Sequence, residues 1–82
     1  MPLAILQSAK NKIIGTKQTL KAIENGLAKM VFVAADAESR VTAPVVDLCR
    51  EKDITVVSID SMKNLGKACD IEVGCAVAAL PE

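Results

Sequence analysis

Histidine, tryptophan and tyrosine are absent from this chain of 82 residues, and Phe32 is its sole aromatic. Each absence narrows the function. Without histidine, the commonest general base and the commonest metal ligand are both missing. The sequence holds no GxxxxGKS or GxxxxGKT phosphate loop and no GxGxxG dinucleotide fingerprint. Its three cysteines, Cys49, Cys69 and Cys75, form no CxxC pair, and an odd count of thiols suits a reducing compartment. Cys49, between Leu48 and Arg50 in a helical segment, and Cys75, in an Ala/Val strand, read as core packing rather than as activated nucleophiles. The expectation is a protein without catalytic residues, metal or cofactor.

Long apolar runs are lacking too. The most apolar stretch, residues 74–80, is about seven residues long, far below the ~20 that span a bilayer. Residues 1–8 carry neither a basic n-region nor a long apolar h-region, so they do not read as a secretory signal. A cytoplasmic protein with no membrane partner is expected.

Finally, no sign of charge dominates: ten Lys+Arg stand against ten Asp+Glu. A net charge of zero counts against a bulk polyelectrolyte binder, since nucleic-acid-binding domains are often strongly basic. Position says more than the total. Residues 1–29 hold Lys10, Lys12, Lys17, Lys21 and Lys29 against Glu24 alone, a balance of +4. Residues 30–60 balance at −3 and residues 61–82 at −1. Positive charge is therefore concentrated around one segment.

What is present is a globular composition, 51% hydrophobic and 24% charged, sized for a single domain over residues 1–82. Periodicity alternates along it. Helices are expected over residues 3–10, from a Thr16 cap to Asn25, from a Thr42 cap with Pro44 in the first turn to about Lys52, and over 61–69. Strands are expected over 12–15, 30–35, 54–59 and 74–80, and Gly26 suits a left-handed helix stop. The continuous apolar run 30–35 marks a strand covered on both faces. The order predicts a three-layer α/β/α sandwich around a mixed sheet of about four strands.

On a helical wheel at about 100° per residue, Lys17, Gln18 and Lys21 share one face of the second helix, at about 0°, 100° and 40°. They stand roughly opposite a stripe of Leu20 and Ile23. The face lies in the first turns, where free backbone N–H groups and the helix dipole favour an anion. An ordinary solvated lysine face has the same pattern, so this arrangement does not decide the function by itself.

The run Ile14-Gly15-Thr16-Lys17-Gln18-Thr19-Leu20-Lys21-Ala22-Ile23-Glu24-Asn25-Gly26 resembles the signature of the ribosomal protein L7Ae family. A second segment, Ser61-Met62-Lys63-Asn64-Leu65-Gly66-Lys67-Ala68-Cys69 followed by Ile71-Glu72-Val73, is similar to that family's Leu-Gly-x-Ala segment and apolar loop. The resemblance covers nearly the whole chain and is closest to small bacterial ribosomal-protein-like paralogues. It implies the L30e-like α/β/α sandwich and recognition of kink-turn RNA, ribosomal or ribosome-associated, by a monomer without a small-molecule substrate. It further implies that Gly15, Thr16, Lys17, Gln18 and Lys21 meet the tandem sheared G·A pairs, with Ile71, Glu72 and Val73 against the flipped-out nucleotide. Lys10, Lys12 and Lys29 would contact phosphate. Family members typically carry Asn and Glu where Lys17 and Gln18 stand, and often Gly where Asp70 stands. Some proteins of this fold act chiefly through protein partners, and the fold also occurs as an appended domain of RNA methyltransferases. A protein-interaction module is therefore the alternative expectation.

Overall fold

The computed structural model describes residues 2–81, with Met1 and Glu82 outside the described residues. The elements are α1 (Pro2–Ser8), β1 (Ile13–Ile14), α2 (Thr16–Glu24), β2 (Met30–Ala34), α3 (Ser39–Glu51), β3 (Thr55–Ile59), α4 (Met62–Ala68) and β4 (Val77–Leu80). The sheet has four strands in the order β1-β4-β2-β3. β4 runs antiparallel to both neighbours, while β2 and β3 are parallel, so β1, β2 and β3 share one direction.

Both faces of the sheet are covered. Phe32 and Ala34 of β2, with Ala78 and Leu80 of β4, pack against Leu6 of α1 and Leu65 and Ala68 of α4. The alternate residues, Val31 and Val33 with Val77 and Ala79, pack against Ala22 and Ile23 of α2 and Val45 and Cys49 of α3. Side chains alternate across a strand, so two covered faces require an unbroken apolar sequence. That is why 30–34 reads as a run. The three-layer sandwich with a four-stranded mixed sheet agrees with the sequence expectation. β3 forms the margin, with Thr55, Val56 and Ser58 exposed.

Helix starts differ from expectation in two places. α3 begins at Ser39 and not beyond Thr42: its first backbone bonds run from the Val41 and Thr42 N–H groups to the Glu38 carbonyl, at 2.9 and 3.2 Å. Pro44 consequently lies inside the helix rather than in its first turn. In α2 the cap position belongs to Gly15, and Thr16 is the first helical residue. The last strand is also shorter than 74–80, because residues 71–75 run along α4 before entering β4.

Helix ends share one device. Gly26, Asp53 and Asp70 adopt φ of 69°, 63° and 62°. The N–H of the following residue reaches back five positions in each case, Leu27 to Ala22, Ile54 to Cys49 and Ile71 to Gly66. These are Schellman closures, in which a left-handed residue lets the chain satisfy the last helical carbonyls. Asp accepts this conformation at more cost than Gly but less than most residues.

Candidate nucleic-acid interface

α2, α3 and α4 follow the ends of β1, β2 and β3 after short connections. Because those strands are parallel to one another, the three helix N-termini gather at one end of the sheet, with the entry to β4. Their second residues are Lys17, Arg40 and Lys63, and no first turn contains an acid. A cation beside the positive end of a helix dipole is unfavourable by about 0.3–1 kcal/mol. Arg40 is relieved by Glu38, whose Oε2 accepts from Arg40 Nε at 2.6 Å. Lys17 and Lys63 have no such partner among the described residues.

The start of α2 is anchored by Gly15, at φ 102° and ψ 154°, a conformation essentially restricted to glycine. Its N–H donates to the Val77 carbonyl at 3.0 Å and its carbonyl accepts from the Thr19 N–H at 3.0 Å. A β-carbon on Gly15 would meet no atom within 4 Å, so the backbone here faces open space. Lys17, Gln18 and Lys21 are exposed together, while Thr16 is half-buried. The buried stripe consists of Thr19, Ala22 and Ile23. Leu20, expected in that stripe, is only partly buried, and the Thr19 hydroxyl is buried without a hydrogen-bond partner.

Residues 71–75 form a strap laid antiparallel along α4. Ile71 N–H donates to the Gly66 carbonyl at 3.1 Å and Cys75 N–H to the Met62 carbonyl at 3.0 Å. Between them the Val73 carbonyl sits where a β-carbon on Gly66 would collide with it. Glycine at 66 is thus the seat of the strap. α4 is held in turn by two caps: Asp36 Oδ1 accepts from the Met62 N–H at 2.7 Å, and Ser61 Oγ accepts from the Asn64 N–H at 3.1 Å. Ile71 is half-buried against the core, Glu72 is exposed, and Val73 is 71% exposed.

The structure does not bring all the candidate residues together. Lys10 lies beside Leu80, and Lys29 N–H donates to the Leu80 carbonyl, which places both at the opposite end of the sheet. Lys12 precedes β1 at that same end. Its ammonium is 3.3 Å from Asp70 Oδ2 and its side chain is only 11% exposed. Asp70 carries its positive φ while serving as that counter-ion.

The thiols are free and buried, as expected. Burial, and after it the nearby Cys75, pushes the Cys69 thiol up to about 11, so it stays protonated and unreactive at neutral pH. Among the described residues no group of three or more His, Cys, Asp or Glu is placed to hold a metal ion. No helix among them is long and apolar enough to cross a membrane. Sequence reasoning left three contributors without a role: Asp36, Ser61 and Gly66. A serine three residues before Asn64 and a glycine inside a helical pattern were the available signals.

Comparison with known proteins bears on this geometry. An RNA-binding protein of Bacillus pumilus (strain SAFR-032) is 48% identical over 75 residues, which cover 92% of each chain. The RNA-binding protein YbxF of Geobacillus stearothermophilus is 45% identical over 76 residues, 93% of this chain and 92% of that one. The solved structure of a Giardia lamblia 15.5kD RNA binding protein superposes with a TM-score of 0.86 at 28% identity, covering 98% of this chain and 68% of that one. Residues 3–82 match the Ribosomal protein L7Ae/L30e/S12e/Gadd45 family. With that match spanning the sandwich and both segments, the chain belongs to this family.

Proposed function

We propose that this protein binds RNA through the end of the sheet where α2 begins, and that its target is a kink-turn in a ribosomal or ribosome-associated RNA. The observation that carries the reading is the exposed face of α2, with Lys17 and Gln18 in its first turn and Lys21 one turn on, together with the open Val73 strap that leads into β4 at the same end of the sheet. Proteins named as RNA-binding share 45–48% of the sequence over 92–93% of this chain. The Lys17 and Lys21 ammonium groups donate to guanine O6 and N7, while the Gln18 amide both donates and accepts. Gly15 and Thr16 let the helix start approach the base edges, since nothing projects from Gly15. Ile71, Glu72 and Val73 pack on an unstacked nucleotide at the bend, in keeping with recognition of RNA by shape and splayed bases.

Lys10 and Lys29 contact phosphate on an RNA flank that extends along the molecule. Lys12 does so only by leaving Asp70. A monomer suffices for this mode, no small molecule is consumed, and binding selects the bent conformer of the RNA. The test is a gel-shift titration with a kink-turn RNA and a copy whose G·A pairs are replaced. A strong preference for the intact motif is expected. Lys17→Ala and Lys21→Ala each cost about 1–3 kcal/mol of binding to it. Equal weak binding to both RNAs, or unchanged affinity in both variants, overturns the reading and leaves the protein-interaction alternative.

A further inference from the structure

A shallow groove of about 360 Å³ lies between α4 and the strap. Met62, Ile71 and Val73 supply apolar surface, and Lys63 and Lys67 border it. The lysines are one helical turn apart, about 5–6 Å at Cβ, and both are exposed. The ion pairs among the described residues are Lys12–Asp70 and Arg40–Glu38, so neither lysine is engaged in one. Two carboxylates, Asp36 and Glu72, also line the groove. Asp36 is committed to the Met62 N–H, and Glu72 belongs to the strap.

We infer that Lys63 and Lys67 hold successive phosphates of the RNA strand that passes over Val73, so that this groove is a second, sequence-independent contact of the RNA face. The inference rests on the RNA reading above and assigns residues outside it. Two observations carry it. The groove is continuous with the strap, because Ile71 and Val73 line both. The lysines expected to meet phosphate, Lys10, Lys12 and Lys29, stand at the far end, so the cations that border the open Val73 are Lys63 and Lys67, neither of them in an ion pair among the described residues. A nucleotide resting on Val73 brings its own backbone within reach of side chains that border the same groove.

The experiment measures the salt dependence of binding to a kink-turn RNA and to its G·A-replaced copy. Wild type is compared with Lys63→Gln/Lys67→Gln and with Lys63→Arg/Lys67→Arg, and a thermal melt of each variant checks folding. Loss of two phosphate contacts reduces the slope of log K against log salt by about 2. The loss is read on the intact kink-turn RNA, and the Arg variant should retain the wild-type slope. An unchanged slope in a folded Gln variant overturns the inference, including the case in which the lysines meet an acidic protein. Loss of the RNA ratio in wild type would instead overturn the kink-turn reading, while the slope still decides the groove. Wild type that binds neither RNA overturns both.

Discussion

The two ends of the sheet are made of the same pieces in opposite orientation. At one end α2, α3 and α4 begin, and at the other they stop. The far end mixes signs: Lys10, Lys12 and Lys29 stand there, but Glu24 and Glu51 are the last residues of α2 and α3, and Asp53 and Asp70 follow α3 and α4. At the near end Lys17, Arg40 and Lys63 stand in the first turns of three helices, against the dipole's preference for anions there. Glu38 compensates Arg40 and Asp36 caps the start of α4, which leaves Lys17 without an acid at its helix start. Surplus cations at a helix start raise the energy of the free protein and lower that of an anionic complex. On the proposed reading, the unpaired Lys17 at the start of α2 awaits an anion, whereas Lys12 at the far end already has one in Asp70.

Substitutions can break that contrast. The largest effect is expected for Gly66→Ala. The added β-carbon displaces the Val73 carbonyl and the strap with it, and overpacking of this kind costs about 1–3 kcal/mol. Denaturant unfolding measures that cost, and RNA affinity should fall alongside it because the seat and the contact surface are the same backbone. Thr19→Val removes a buried hydroxyl that lacks a partner and should raise stability by about 1 kcal/mol, with RNA preference retained. A loss of stability in that variant would show that the hydroxyl has a partner after all.

Lys17→Glu sharpens the comparison directly. Reversing the charge at the α2 start should raise stability by about 0.3–1 kcal/mol while abolishing discrimination between intact and G·A-replaced RNA. Stability and binding falling together would refute the division between the two ends. The smallest effects belong to the far end. Asp53→Gly relieves a left-handed aspartate and should stabilise by about 0.5 kcal/mol. Asp70→Gly should gain less, since it also strips Lys12 of its counter-ion. Neither change should alter RNA preference.

How much of this was legible beforehand depends on what each residue's role requires. Runs such as Met30–Ala34 announce themselves, because burial on two faces leaves no room for polar alternation. Gly26 was legible as a left-handed stop for the same local reason. Thr16 and Thr42 misled, because cap preference is a weak local rule and tertiary packing set the helix starts. At α3 the Glu38 carbonyl opens the helix early enough to enclose Pro44. The exposed trio on α2 followed from 3.6-residue periodicity alone. The depth of Thr19 did not, since adjacent positions on a wheel compete and only the neighbouring sheet decides between them. Asp36 was beyond reach, because it acts on Met62, 26 residues away, and no local pattern encodes such a contact; Gly66 showed only as a glycine inside a helical pattern, without the Val73 carbonyl that explains it. The commitment of Lys12 to Asp70 was hidden in the same way, across 58 residues.

The burial of Phe32, the sole aromatic, beneath α1 and α4 has an optical consequence. With neither tryptophan nor tyrosine, the molecule emits almost nothing under near-ultraviolet excitation, and its absorbance there is small beside that of any nucleic acid. A single indole placed at the open position of Val73 would shine alone against a dark background. Its quenching would report on the strap and on whatever settles there, without contribution from the rest of the chain.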